Sequence, residues 1–192
     1  MKKLLLLVLA VMTLTSVGAQ TKEDMDKSEK RAKELQALCD NYPKQSGNAE
    51  VDGYGKSVYD AALMAIANSE QLETLYYRQI GETKDGVTDV TIKKPTLEEW
   101  VALGTTVTAE GVSVKNAVDK AKSAGESVKK QAEEAKSEKN PMKAAKTAKQ
   151  AKAMGAIIEF GNAATPILLE ESGAQAKAVQ QIISTLKSGG NL

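Results

Sequence analysis

Steps of three and four residues, taken alternately from Leu97, reach Trp100, Gly104, Val107, Gly111, Val114, Val118, Ala121, Gly125, Val128, Ala132 and Ala135. The same steps from Ala144 reach Ala148, Ala151, Gly155, Ile158, Asn162, Thr165, Leu169, Ser172, Ala176, Val179, Ile183 and Leu186. No position in either series is charged, although 27% of the chain is. Over all registers, that absence has a chance of roughly 2%. A seven-residue repeat of this kind predicts two helices packed along a shared seam.

Local signals agree with that reading. Thr96 and Glu99 have capping-box spacing at the start of the first run. The stretch "SEKNP" (137–141) breaks the pattern, with Asn140 as a cap and Pro141 at a first helical position. Gly189-Gly190 ends the second run. A short connection between two long helices folds them back antiparallel, so facing residue numbers sum to about 280 and Gly125 comes near Gly155. Pro166 lies inside the second run and predicts a kink rather than a break, because the repeat keeps its phase across it. "GTTVTAEGVSV" (104–114) is a poor helix by propensity and falls near the level of Pro166.

Before residue 97 two shorter patterns appear. Thr21 and Asp24 can cap a helix whose seam reads Met25, Ser28, Ala32, Leu35, Cys39, Tyr42. A polar loop (43–53) then leads to a second helix with seam Val58, Ala62, Ala65, Ser69, Leu72, Tyr76, Ile80. Residues 81–95 read as a loop, with room for a small hairpin about Asp85-Gly86. The expected fold is all-α: a long antiparallel helical hairpin (about 97–138 and 142–187, kinked near Pro166) with two N-terminal helices docked as a four-helix bundle. The bulky seam residues lie at the open end of the hairpin, so docking is expected there.

The stretch 117–154 contains no leucine, isoleucine or aromatic residue. Burying a leucine or valine is worth about 1.5–3 kcal/mol, and an alanine methyl only about 0.8. Ordering each residue costs about 1–2 kcal/mol. An alanine-lined arm at about 115–152 is therefore expected to fray at its tip before the bundle melts. A disordered alanine/lysine-rich linker would have the same composition, but a linker needs no register.

The first twenty residues change the domain picture. Lys2 and Lys3, an apolar run from Leu4 to Leu14 and the small residues Val17-Gly18-Ala19 form a signal-peptide pattern cut after Ala19. A bilayer span needs roughly 20 apolar residues, so the run is too short for an anchor. The short n-region and a mature start at Gln20 are similar in style to exported proteins of Gram-negative bacteria. The expectation is a signal peptide at 1–19, then a single helical domain at 20–192, periplasmic or secreted. Without Lys2 and Lys3 the chain has 24 Lys+Arg against 25 Asp+Glu, a net charge of −1.

Candidate chemistry is thin. The chain has no histidine, so the commonest general base and metal ligand is missing. Cys39 is the single cysteine and falls on a seam, which reads as a buried thiol before a nucleophile; an intermolecular disulfide is the remaining option. There is no Gly-rich phosphate loop. Carboxylates such as Glu133 and Glu134 alternate with Lys129, Lys130 and Lys136, the pattern of a solvated helix face. Asp85 and Asp89 lack the run of acids that makes a calcium loop. No catalytic residue, metal or cofactor is assigned.

Charge distribution says more. Residues 115–152 hold eleven lysines against five acids, net +6, leaving −7 for the rest of the mature chain. Solubility of an exposed arm is the plain explanation. The functional one is attraction to an anionic envelope component or an acidic protein, with contact to a membrane surface included. Lys129, Lys130, Lys143, Lys146 and Lys149 are the candidate partner-binding residues. The A-A-K repeats look like histone-tail DNA binders, but an export signal argues against nucleic acid. The expected function is an exported non-enzymatic interaction or structural protein of the bacterial cell envelope. The alternative is a membrane-active protein resembling helical pore-forming toxins, using the apolar segment 154–169, although Glu159 makes that segment costly to insert.

Overall fold

The computed structural model describes residues 21–83 and 93–190. The expected signal peptide (1–19) and the expected turn about Asp85-Gly86 lie outside the described residues, as do Asp85 and Asp89. Four helices make up the fold: α1 (Lys22–Asp40), α2 (Ala49–Ile80), α3 (Leu97–Ser137) and α4 (Pro141–Lys187). They pack as an all-α bundle in which α2, α3 and α4 touch one another and α1 lies on α2 and α4. The hairpin is antiparallel: the Gln131 side-chain amide donates to Gln150 Oε1 at 3.2 Å, and Gly111 faces Ser172.

Helix ends follow the cap chemistry. Thr21 with Asp24, and Thr96 with Glu99, form reciprocal capping boxes. Asn140 Oδ1 accepts from the amides of Met142 and Lys143, and Pro141 occupies the first turn of α4. The start of α2 differs from expectation, since residues 49–53 are helical rather than loop. Asn48 caps it through the amides of Glu50 and Val51, while Asp52 accepts from the Ser46 amide and hydroxyl and the Gly47 amide. That carboxylate folds the loop onto the helix that carries it. α4 runs unbroken through Pro166, which is exposed. The hydrogen bond that proline deletes is thus lost on the solvent side, where water can replace it.

The core register of the hairpin departs in part from the expected seam: Trp100, Val107, Val114, Ser172 and Val179 are buried as expected, and the rest of the deepest positions lie beside it. In α4 the deepest stripe is Met154, Ile157, Gly161, Ala164, Leu168, Glu171, Gln175, Ala178 and Ile182, one residue before the uncharged series; Phe160 is buried beside it, and of the expected seam Ser172 and Val179 are buried as well. Leu169, on the expected seam, is 54% exposed, and Val118 of α3 is 39% exposed. α3 buries Trp100, Leu103, Val107, Glu110, Val114, Ala117 and Ala124. The uncharged series instead runs along the flank where α3 and α4 meet. A Cβ added to Gly104 would lie 3.4 Å from Val179 and Ile183. The deepest stripe turns toward α2.

Close backbone approach also lies elsewhere than expected. A Cβ at Gly125 or Gly155 would meet nothing within 4 Å, so those glycines do not mark a tight tip seam. At Gly161 of α4 it would stand 2.1 Å from the buried Tyr54 hydroxyl, and at Gly55 of α2 it would stand 2.4 Å from Ile157 Cγ2. The tight contact is between α2 and α4. α2 also reaches past the open end: Ser127 bonds Glu50, and Lys120 Nζ donates to Ser57 Oγ at 2.7 Å. The hairpin proceeds without α2 only beyond the level of Ser127 and Gln150, and Ala117 and Ala124 belong to the core.

Candidate functional sites: a lysine-bearing tip and a buried polar layer

All five candidate lysines are exposed. Lys129 and Lys130 lie at the end of α3, next to Gln131, and Lys149 is beside its partner Gln150 on α4, so these three share one level. Lys143 and Lys146 stand nearer the turn, and the three-residue spacing of Lys143, Lys146, Lys149 and Lys152 winds around α4 instead of forming a single stripe. None of the five takes part in an ion pair among the described residues. The first turn of α4 contains no acidic residue and does contain Lys143. Helix N-termini favour negative charge by about 0.3–1 kcal/mol, so a cation there is mildly unfavourable to the helix itself.

The apolar segment 154–169 is spent on the core. Met154, Ile157, Phe160, Ala164 and Leu168 are buried in the cluster with α1 and α2. No helix among the described residues is long and apolar enough to cross a membrane. Cys39 is buried, and burial pushes its thiol pKa up, away from a reactive thiolate. A shallow open depression lies between the end of α1 and α4, lined by Leu38, Asn41, Pro43, Glu159 and Phe160.

A second constellation was not anticipated from the sequence. Buried residues form two apolar clusters, one around Leu35, Val58, Ala65, Val114 and Leu168, the other around Met25, Leu72, Val107 and Ala178. Between them each helix contributes polar groups: Ser28 and Arg31 from α1, Asn68 and Ser69 from α2, Thr106 and Glu110 from α3, and Glu171, Ser172 and Gln175 from α4. Glu110 and Glu171 are both fully buried.

Their surroundings differ. Glu171 Oε2 accepts from Arg31 Nε at 2.5 Å, and its Oε1 accepts from Ser28 Oγ and from Gln175 Nε2 at 2.7 Å. Gln175 also donates to the Ala65 carbonyl at 2.8 Å, tying α4 to α2. Glu110 Oε2 accepts from Asn68 Nδ2 at 2.6 Å, and Asn68 Oδ1 is held by Thr106 Oγ1 at 2.7 Å. No aligned donor reaches Glu110 Oε1 among the described residues. Burial pushes the Glu110 pKa up to about 7; the Glu171 carboxylate adds to the rise, while Asn68 and Ser172 hold it back. Two carboxylates do not make a metal site, and among the described residues no three potential ligands gather.

The serines gave a partial signal, since Ser28, Ser69 and Ser172 already stand on the expected seams. An uncharged stripe by definition excludes Glu110 and Glu171, so the heptad pattern holds no sign of either. Against protein families, curated proteins and solved structures, the chain shows no match.

Proposed function

We propose that this is an exported, non-enzymatic interaction protein of the bacterial cell envelope that meets an anionic surface or an acidic partner through the end of its α3–α4 hairpin. The observation that carries the reading is the set of five exposed lysines, without an ion pair among the described residues, on the part of the hairpin beyond the start of α2. Holding cations at a helix N-terminus and on a narrow projection does little for folding. It places charge where a large anionic surface can reach it from several sides. Each lysine near such a surface contributes about 1 kcal/mol, and the attraction decays within a Debye length of roughly 8–10 Å. Absence of histidine, and burial of the single cysteine, support a binding role over a catalytic one.

The test is binding of the chain to vesicles of anionic lipid and to lipopolysaccharide, beside pull-down from native envelopes with the tip intact or replaced by a short turn. Binding should fall with salt and disappear when Lys129, Lys130, Lys143, Lys146 and Lys149 are changed to glutamate. Capture from envelopes without vesicle binding selects the acidic protein as the partner. Binding to neither anionic material nor any envelope component, or binding unchanged in the glutamate variant, overturns the proposal.

A further inference from the structure

Along every helix the same order recurs: an apolar turn, a polar turn, an apolar turn. In α2 it is Ala65, then Asn68 and Ser69, then Leu72; in α3 it is Val107, then Glu110, then Val114. The layer has two carboxylates and a single cation, Arg31, which is committed to Glu171 and Glu170. Facing Glu110, α2 offers the neutral Asn68, and α4 offers Ser172 and the Glu171 carboxylate. α1 brings Ser28 and Arg31 only to Glu171, and on α3 itself Thr106 bonds Asn68. Among the described residues, Glu110 therefore meets one like charge and no cation of its own. Its Oε1 and the Oε1 of Gln175 are both buried acceptors without an aligned donor. A proton on Glu110 relieves the like-charge contact and turns one bare acceptor into a donor.

We propose that this layer is a proton-operated latch: with Glu110 protonated, α3 is locked against α2 and α4 at this level, and with Glu110 ionised, α3 loosens there while the two apolar clusters stay packed. An ionised carboxylate buried without a cation is relieved most cheaply by letting water in. The helices here yield easily, because α3 has Gly104 and Gly111 around Thr105, Thr106, Val107 and Thr108. α4 has Pro166 and Gly173 on either side of Glu171. The opening is one-sided, since Glu171 keeps α1 and α4 together through Arg31.

Hydrogen exchange on the full chain at pH 5.5 and 8.5, corrected for the intrinsic rate, reads the latch directly. Protection of residues 104–113 should fall about tenfold or more at the higher pH, while residues 54–65 of α2 hold theirs, and the fall should be absent in Glu110→Gln. Equal protection of 104–113 at the two pH values in the wild type, or a fall that survives in Glu110→Gln, overturns the proposal. Should that variant not fold, a carbon-13 titration of the Glu110 carboxyl in the wild type decides. Its midpoint must coincide with the midpoint of the protection loss, and a separation of more than about one pH unit overturns the latch.

Discussion

The two sides of the polar layer solve the same problem differently. On the α1 side, Glu171 has a guanidinium, a hydroxyl and an amide on its two oxygens. On the α3 side, Glu110 has the Asn68 amide, the Ser172 hydroxyl nearby and, among the described residues, no cation. Both are fully buried, so desolvation alone does not separate them; the partners do. A buried carboxylate with a guanidinium, a hydroxyl and an amide on its oxygens ties together the helices that bring them. One with neutral neighbours only, facing a like charge, holds them best when it carries its own proton.

The largest test of that contrast removes the cation. Arg31→Ala leaves Glu171 buried with neutral donors only and should cost about 3–5 kcal/mol in a urea titration. A loss under about 1 kcal/mol would show that Glu171 does not depend on its cation and would collapse the difference between the two sides.

Next in size is Glu110→Gln, with the opposite sign. The folded value of about 7 lies above the ordinary 4.5, so the folded state holds this proton more tightly than the unfolded chain does. Its contribution is whole below about pH 4.5 and is lost as pH rises through about 7. At 1.36 kcal/mol per pH unit, about 3 kcal/mol of stability disappears across that window. Glutamine keeps an acceptor for Asn68 and cannot ionise. The variant should match the wild type near pH 4.5 and exceed it by up to about 3 kcal/mol at pH 8.5. Wild-type and variant stability curves that run parallel from pH 4.5 to 8.5 would end the distinction.

The smallest effect sharpens the comparison from outside. Charge reversal of Lys129, Lys130, Lys143, Lys146 and Lys149 should move folding stability by no more than about 0.5 kcal/mol for each exposed site. Where charge is solvated, reversal matters little to the fold, and where it is buried a single charge decides. A cooperative loss of the whole bundle in that variant would mean the tip is part of the core.

Legibility in the sequence followed the same division. On the expected α1 seam Met25, Ser28, Ala32, Leu35 and Cys39 are all buried, while Tyr42 lies just past the helix end and is half-buried. Most of the α2 seam was read too, but α2 is covered by three helices, so Tyr54, Ala61, Asn68 and Leu75 are buried on a second stripe. In α4 the uncharged series pointed about 100° away from the deepest face. Leu169 shows the cost of that shift, exposed where Leu168 is buried. The lysine tip was legible because exposed charge needs no partner. Of the polar layer only Ser28, Ser69 and Ser172 stand on the expected seams; Arg31, Asn68, Glu110, Glu171 and Gln175, taken singly, read as ordinary surface residues.

Helix number, caps and the turn at Asn140-Pro141 were determined by the sequence itself, since those interactions join residues within a turn of one another. Which face of each long helix is deepest, and which acids are buried, only the tertiary structure decided. Asn68 lies 42 residues from Glu110 and Arg31 lies 140 from Glu171. A charged side chain can enter the core when partners that distant in sequence arrive beside it, and the periodicity of one helix holds no record of what the other three will bring.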